Sequence, residues 1–334
     1  MWASQLVDCY AFQTLHVPSV RRDELPPGRV CLRVLAGGLC GSDLAYYRGT
    51  LGQWGIGGFG EAVPGFPLHE VVGDVVGSAD DRIAIGDRVV GWAADMNGLA
   101  EYVVTDAASV HRYASSLSPR DAIILQPLAC VIAAIERIGS VAGQHCTVLG
   151  QGPIGVLFSH VLKSAGARRV TAVDRVRRGD LEGSYGVDEA YITSTGRWAH
   201  NGGDDAPDVV VEAIGHQVSS LSHAIDAIGT GGRILCFGIP DDPVYPVNME
   251  QLLRKQLTLS AGTTVQRRRA LAAADSYIAE YPGLVKGYNT HVFMRDEVAL
   301  AFETASNPAP GLMKVTIQIG SLSAADSVAP MRPR

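Results

Sequence analysis

The chain lacks three things whose absence narrows its function: cysteines in pairs, an excess of positive charge, and long apolar runs. Its six cysteines (Cys9, Cys31, Cys40, Cys130, Cys146 and Cys236) are scattered without the spacing of a disulfide framework, which fits a reducing compartment. The formal charge of −6 argues against a nucleic-acid surface or an anionic membrane surface as partner. No stretch approaches the roughly 18 uninterrupted apolar residues that a membrane span needs. The start, Met1-Trp2-Ala3-Ser4-Gln5, has neither a basic n-region nor a sustained apolar h-region, so a soluble, cytoplasmic protein is expected. What is present suits an α/β enzyme. The 334 residues allow two domains, the 47% hydrophobic content supplies a large core, and 38 glycines promise many tight turns.

The most informative stretch is Val148-Leu149-Gly150-Gln151-Gly152-Pro153-Ile154-Gly155, followed by a second apolar run, Arg169 to Val173, that closes on Asp174. It reads as strand, glycine turn, helix start and second strand, which is the phosphate-cradling unit of a dinucleotide fold. Gly150 permits the tight turn, Gly152 lets backbone approach a pyrophosphate, and Gly155 allows close helix–strand contact. A helix opening at Pro153 and Ile154 would present free N–H groups and its positive dipole end to the diphosphate. A bare glycine turn of this kind is weak evidence; the flanking strands, Gly166 at the helix end and the acid at the right distance give it weight. Asp174 can accept hydrogen bonds from ribose hydroxyls and repels a 2′-phosphate, which favours NAD over NADP. Arg175, Arg177 and Arg178 follow it, either as a solvated face or as grips for a phosphate, and Arg175 joins the expected cofactor set.

Because this unit lies mid-chain, another domain precedes it, and the chain is expected to return to that domain afterwards. Residues 1–120 carry short β-type runs at Arg29–Leu35, Glu70–Val76, Arg88–Gly91 and Ala100–Val104, punctuated by glycine and proline as in a barrel-like module. A helical pattern begins near Ser118. Beyond Asp174 the sequence predicts a buried strand at Val209–Ala213, a helix over Val218–Ile228, a strand at Gly232–Gly238 and a strand pair within Gln251–Gly262. Two helical stretches and a strand at Lys314–Ile319 close the chain, and the tail from Ser321 reads as disordered.

Four pieces ahead of the glycine turn carry chemistry together: Gly38-Leu39-Cys40-Gly41-Ser42-Asp43, Pro67-Leu68-His69-Glu70, Gly86-Asp87-Arg88-Val89-Val90 and Gln126-Pro127-Leu128. Each alone is bland, since a buried cysteine is usually an inert hydrophobe. Together they offer a thiolate, an imidazole, a carboxylate and an amide oxygen, donors suited to a tetrahedral zinc with an exchangeable position.

On these motifs the chain resembles the zinc-dependent medium-chain dehydrogenase/reductase superfamily, which includes alcohol, sorbitol, threonine and glucose dehydrogenases. The likeness runs to about Gly320. It implies an α/β fold with a GroES-like, β-rich catalytic domain (1–122 and 263–334) and a Rossmann domain with a doubly wound parallel sheet (123–262). It further implies one catalytic zinc held by Cys40, His69 and Glu70, with Gln126 in its immediate environment. Ser42 would pass on the substrate proton, and Asp43 would orient a ligand histidine. Thr290-His291 and Lys314-Val315 match family segments, with Lys314 expected to approach the cofactor diphosphate. NAD would accept hydride from a small-molecule alcohol, zinc would stabilise the alkoxide, and a homo-oligomer would form by edge pairing of the Gly232–Gly238 strand, as dimer or tetramer.

Several positions depart from the family pattern. Ala45 stands where a relay histidine is common, leaving Tyr46, Tyr47 or water for that role. Leu68 replaces the glycine before His-Glu and is expected to crowd the backbone. Gln126 stands where polyol dehydrogenases commonly have Glu. Arg88–Val104 contains no cysteine, so no structural zinc is expected, and the five cysteines other than Cys40 are assigned to core packing. The Gln126 helix and polar candidates such as Ser42, Tyr46, Arg48, Gln53 and Glu101 favour a sugar, polyol or aminocyclitol-like substrate. The alternatives are a zinc-free, NADPH-dependent quinone or enoyl reductase and a catalytically lapsed binding protein.

Overall fold

The computed structural model describes residues 1–21, 24–50, 63–114, 116–201, 205–240 and 242–321. Gln53 and the tail beyond Ser321 lie outside them. The chain opens with strands β1 (Trp2–Asp8), β2 (Ala11–His16) and β3 (Arg29–Gly38), helix α1 (Gly41–Tyr47), then β4 (Glu70–Ser78), β5 (Arg88–Trp92), β6 (Tyr102–Asp106) and β7 (Val110–Arg112). Helices α2 (Pro119–Ala122) and α3 (Leu125–Ile138) lead to β8 (His145–Leu149), α4 (Pro153–Ser164) and β9 (Arg169–Asp174). Next come α5 (Leu181–Tyr185), β10 (Glu189–Ile192), α6 (Thr195–His200), β11 (Val209–Glu212), α7 (Val218–Ala227) and β12 (Arg233–Cys236). The chain closes with α8 (Met249–Arg254), β13 (Thr258–Ala261), α9 (Arg267–Glu280), β14 (Asn289–Met294), α10 (Val298–Ser306) and β15 (Lys314–Gln318).

Two compact units result. One comprises 1–129, 266–308 and 312–334; the other comprises 130–265 and 309–311. The first division falls inside α3, seven residues on from the sequence-based boundary at 122/123.

The first unit is a largely antiparallel sheet in the order β14-β15-β3-β4-β5-β7, with β6 also paired to β3 and a separate β1–β2 hairpin. Its core is built from alternate inward residues such as Val30, Leu32 and Val34 of β3 and Val71 and Val75 of β4. The return segment adds a strand that the sequence reading missed. β14 runs parallel to β15, with α10 as the crossover between them.

The second unit is a wholly parallel six-stranded sheet in the order β10-β9-β8-β11-β12-β13. Numbered from β8, this is the doubly wound 3-2-1-4-5-6 arrangement, whose order reverses between β8 and β11, the switch point where such sheets take their ligands. The central strands β8 and β11 are buried throughout, which is why His145-Cys-Thr-Val-Leu149 and Val209-Val-Val-Glu212 show no polar alternation.

Three further expectations are corrected. Gln251–Gly262 is not a strand pair but the C-terminal part of α8 followed by the single strand β13. β12, expected at a sheet edge, is paired on both sides, by β11 and β13, so the edge strand is β13. Cys9 is not core; it is exposed in the turn between β1 and β2. Cys146 and Cys236 do pack inward, and burial pushes their thiols up to about 12 and about 11.

Candidate functional site

The first unit gathers its chemistry at the start of α1 and the start of β4. Cys40 is the N-cap of α1, in extended conformation, with Asp43 at the third helical position. An acid there stabilises a helix start by accepting the N-cap amide, and Asp43 Oδ2 accepts from Cys40 N at 2.9 Å. Its other oxygen, Oδ1, lies 2.8 Å from His69 Nδ1. One fully buried carboxylate therefore fixes both the backbone of the cysteine and the ring of the histidine. With Nδ1 engaged, Nε2 is the ring nitrogen left for ligation. Ligand atoms of Cys40, His69 and Glu70 all lie within 4.8 Å of one another.

Electrostatics mark the same spot. Burial alone would lower the His69 pKa, but the Asp43 carboxylate, by its field and its hydrogen bond, together with Cys40, holds it well above 6.5 in the metal-free protein. Glu70 is raised by burial, against the opposing field of Lys314. Lys314 Nζ lies 2.6 Å from Glu70 Oε2, yet neither Glu70 oxygen has an aligned hydrogen-bond partner. Buried acceptors in that condition are what a metal ion completes. A thiol, an imidazole and a carboxylate converging on one point fit zinc.

Lys314, expected at a cofactor diphosphate, instead has its ammonium buried on Glu70. Gln126, second residue of α3, is buried in the same unit. Leu68 does not crowd the backbone. Its side chain fills room left where Gly37 and Gly98 have no Cβ, and it is fully buried.

Of the two tyrosines that replace the missing relay histidine, Tyr47 is committed to the core, against Tyr10, Phe12 and Phe302. Tyr46 lies one helical turn beyond Ser42 on the same face of α1, with its ring edge-on to Phe66. Its phenol is raised by burial and by the Asp43 carboxylate. Two other polar candidates are otherwise employed. Glu101 accepts from Trp2 N at 2.7 Å and from Arg295 at 2.9 Å, and Arg48 donates to the Ser306 carbonyl at 2.8 Å.

The second unit holds the glycine turn at the carboxyl end of β8. Gly150 adopts φ +90°, open to glycine at little cost. A Cβ on Gly155 would collide with the Gly150 carbonyl oxygen. Gly152 is the N-cap of α4, with Pro153 and Ile154 as its first two residues. Asp174 at the end of β9 ties the turn down: its Oδ2 accepts from Gln151 N at 2.6 Å and its Oδ1 from Val176 N at 3.0 Å. Each oxygen keeps a lone pair for a ribose hydroxyl. The turn therefore fits a dinucleotide diphosphate. Arg175 is exposed, whereas Arg178 lies against Gly152.

Comparison with known proteins agrees with this geometry. Residues 26–115 match the alcohol dehydrogenase GroES-like domain and residues 153–280 the zinc-binding dehydrogenase domain, together more than half of the chain. D-altritol 5-dehydrogenase of Agrobacterium fabrum is 29% identical, the match covering 87% of this chain and 93% of that protein. L-arabinitol 4-dehydrogenase of Aspergillus niger is 27% identical, over 88% of this chain and 86% of that one. Among solved structures, the alcohol dehydrogenase TADH from Thermus sp. ATN1 shares the fold with a TM-score of 0.78 at 22% identity, over 96% of this chain and 100% of that one.

Proposed function

The chain belongs to the zinc-dependent medium-chain dehydrogenase/reductase superfamily, and from that membership we propose that it is an NAD-dependent dehydrogenase moving hydride between a secondary alcohol of the polyol class and the nicotinamide. The observation that carries this reading is Asp43, whose two oxygens hold Cys40 and His69 in place so that thiol, imidazole and Glu70 carboxylate converge. The polyol relatives supply the substrate class.

Cys40, His69 and Glu70 would hold zinc, with Gln126 nearby on its helix. When bound, zinc supplies a Lewis acid that eases loss of the alcohol proton at neutral pH. Ser42, on the first turn of α1, accepts that proton by its hydroxyl, and Tyr46 or water carries it onward. Gly150, Gly152 and Gly155 let the backbone amides at the start of α4 meet the diphosphate, and Asp174 receives the ribose hydroxyls. Glu70 and Lys314 neutralise each other, so the pocket carries no isolated buried charge.

The donor set speaks against a zinc-free reductase, which has no use for a thiol and an imidazole aligned by a buried acid. No helix among the described residues is long and apolar enough to cross a membrane. β13, with Thr258, Leu259 and Ala261 exposed at the open edge of the parallel sheet, is the strand through which a homodimer or tetramer would pair.

The test is zinc per chain by elemental analysis, with NAD and NADP titrated into the same sample. About one zinc per chain, NAD as the tighter ligand, and loss of polyol turnover in Cys40→Ser and His69→Ala with NAD binding kept are the expected results. Full turnover in both variants, or a zinc-free wild type, would sink the reading.

A further inference from the structure

Glu70 and Lys314 bury opposite charges at the metal ligands, and a third element closes over them. A methyl group built on Gly38 would sit 2.5 Å from Glu70 Oε2, 2.5 Å from Ile123 Cγ2 and 3.0 Å from Lys314 Cε. Strand β4, strand β15 and the end of α2 therefore meet at one point, over a glycine with no Cβ to intrude. Ile123, the C-cap of α2, is fully buried there. Its branched methyl is an apolar cover for the ion pair. Water admitted at that point would compete for both charges and weaken their attraction.

The cover needs holding, because α2 is only four residues long and too short to stand alone. Two tethers run from it to the returning strands. The Arg120 side chain donates to Gln318 of β15. Asn289, the first residue of β14, donates from Nδ2 to the Arg120 carbonyl. That oxygen also accepts from Ile123 N at 3.4 Å. A carbonyl can only accept, so the side-chain amide of Asn289 has one orientation. Its Oδ1 then accepts from Thr316 Oγ1 at 3.1 Å. Thr316 is fully buried and pairs with Gly38 across β15 and β3. Asn289 itself stands opposite Lys314 in the β14–β15 ladder, just before the shift in register at Thr290. One side-chain amide thus joins the strand carrying Lys314 to the carbonyl from which Ile123 hangs.

We propose that Asn289 is a positioning residue of the metal site, holding Ile123 over the Glu70–Lys314 pair through the Arg120 carbonyl. The inference rests on the zinc reading given above and deepens it by naming a residue that acts through others. With the cover in place, Glu70 keeps one orientation beside Cys40 and His69, and a metal meets a preorganised carboxylate. With the cover loosened the three ligands remain, but Glu70 must be ordered again when metal binds.

The experiment is zinc competition with a chromophoric chelator on the full-length wild type, Asn289→Asp, Asn289→Ala, Ile123→Ala, Ile123→Val and the double variant Asn289→Asp with Ile123→Ala. Hydrogen exchange over residues 120–126 is followed in each metal-free protein. Asn289→Asp keeps the acceptor for Thr316 but sets a second acceptor against the Arg120 carbonyl. Asn289→Ala removes the donor without adding charge. Zinc affinity should fall about tenfold in both and in Ile123→Ala, and by less in Ile123→Val, which keeps a branched methyl. Exchange over 120–126 should quicken in the Asn289 variants while the rest of the chain exchanges as in the wild type. The double variant should bind zinc no more weakly than Ile123→Ala, because both changes remove the same cover. Wild-type zinc affinity in both Asn289 variants, losses that multiply in the double variant, or faster exchange throughout the chain would overturn the proposal. A wild type that takes up no zinc would refute the metal reading itself, and the role of Asn289 with it.

Discussion

Replacing Asp43 by asparagine should cost both metal and stability, for reasons that can be counted in hydrogen bonds. The carboxylate faces two donors, the Cys40 amide at 2.9 Å and the His69 Nδ1 at 2.8 Å. Asparagine keeps one acceptor and turns the other into a donor. If its oxygen serves Cys40, its amino group faces Nδ1, which must then accept, and the ring proton moves to Nε2, the nitrogen needed for zinc. If the amide is turned, its amino group meets the Cys40 N–H and the helix cap is lost. Hydrogen bonds to charged groups are worth about 1.5–3 kcal/mol each. Losing one outright and weakening the other should therefore destabilise the metal-free protein by about 2–4 kcal/mol. Zinc affinity should fall about ten- to hundredfold, as when a ligand's supporting carboxylate is removed. Urea unfolding of the metal-free protein gives the first number and competition with a chromophoric chelator the second. An Asp43→Asn protein that binds zinc and unfolds like the wild type would refute the idea that this carboxylate assembles the site.

Lys314→Met should leave Glu70 buried without its counter-charge and cost about 3–5 kcal/mol in urea unfolding, while Glu70→Gln with Lys314→Met should recover most of it. Leu68→Ala should cost about 2–5 kcal/mol in the same assay, because the glycines at 37 and 98 cannot refill the space. Zinc uptake should weaken as pH falls. In the metal-free protein the raised His69 pKa keeps the ring protonated to above its ordinary range near 6.5, so binding must expel a proton, and chelator competition across pH should show that release. The His69–Asp43 pair works in the opposite sense on metal-free stability. Its contribution is complete below pH 6.5 and disappears as pH rises through the elevated folded value, so metal-free unfolding should become easier on the alkaline side.

The dinucleotide unit was legible because every local signal in it agrees. Gly150, Gly152 and Gly155 each meet a backbone demand, and the strands on either side bury nearly every residue. Elsewhere the signals were mixed. α8 was read as strand because it is short and turns Met249 and Leu253 to solvent, so its apolar residues do not mark a core face. β14 was missed because most of Asn289–Met294 is only half-buried and shows no alternation. Cys9 read as a core residue because nothing in the sequence announces that Tyr10 turns the chain at φ +62°.

The metal ligands could be read from motifs, but the relations between them could not. Lys314 meets Glu70 from the far end of the chain, and only the β15–β3–β4 order brings them together. Leu68 looked like damage to the site until Gly37 and Gly98 were seen to leave room for it. That observation bears on whether catalysis has lapsed. Of the three departures that left room for a lapsed protein, Leu68 is accommodated by its neighbours, and Ala45 has Tyr46 one residue away with its phenol raised by burial and by the Asp43 field. Gln126 exchanges a charged donor for a neutral one whose amide oxygen can still meet zinc or its water. A protein that had given up its metal could close the start of α1 with a serine at the N-cap, position 40, and needs no acid at 43. Holding a carboxylate there, fully buried with one oxygen on an imidazole, costs desolvation, and alignment of His69 is the return that cost has.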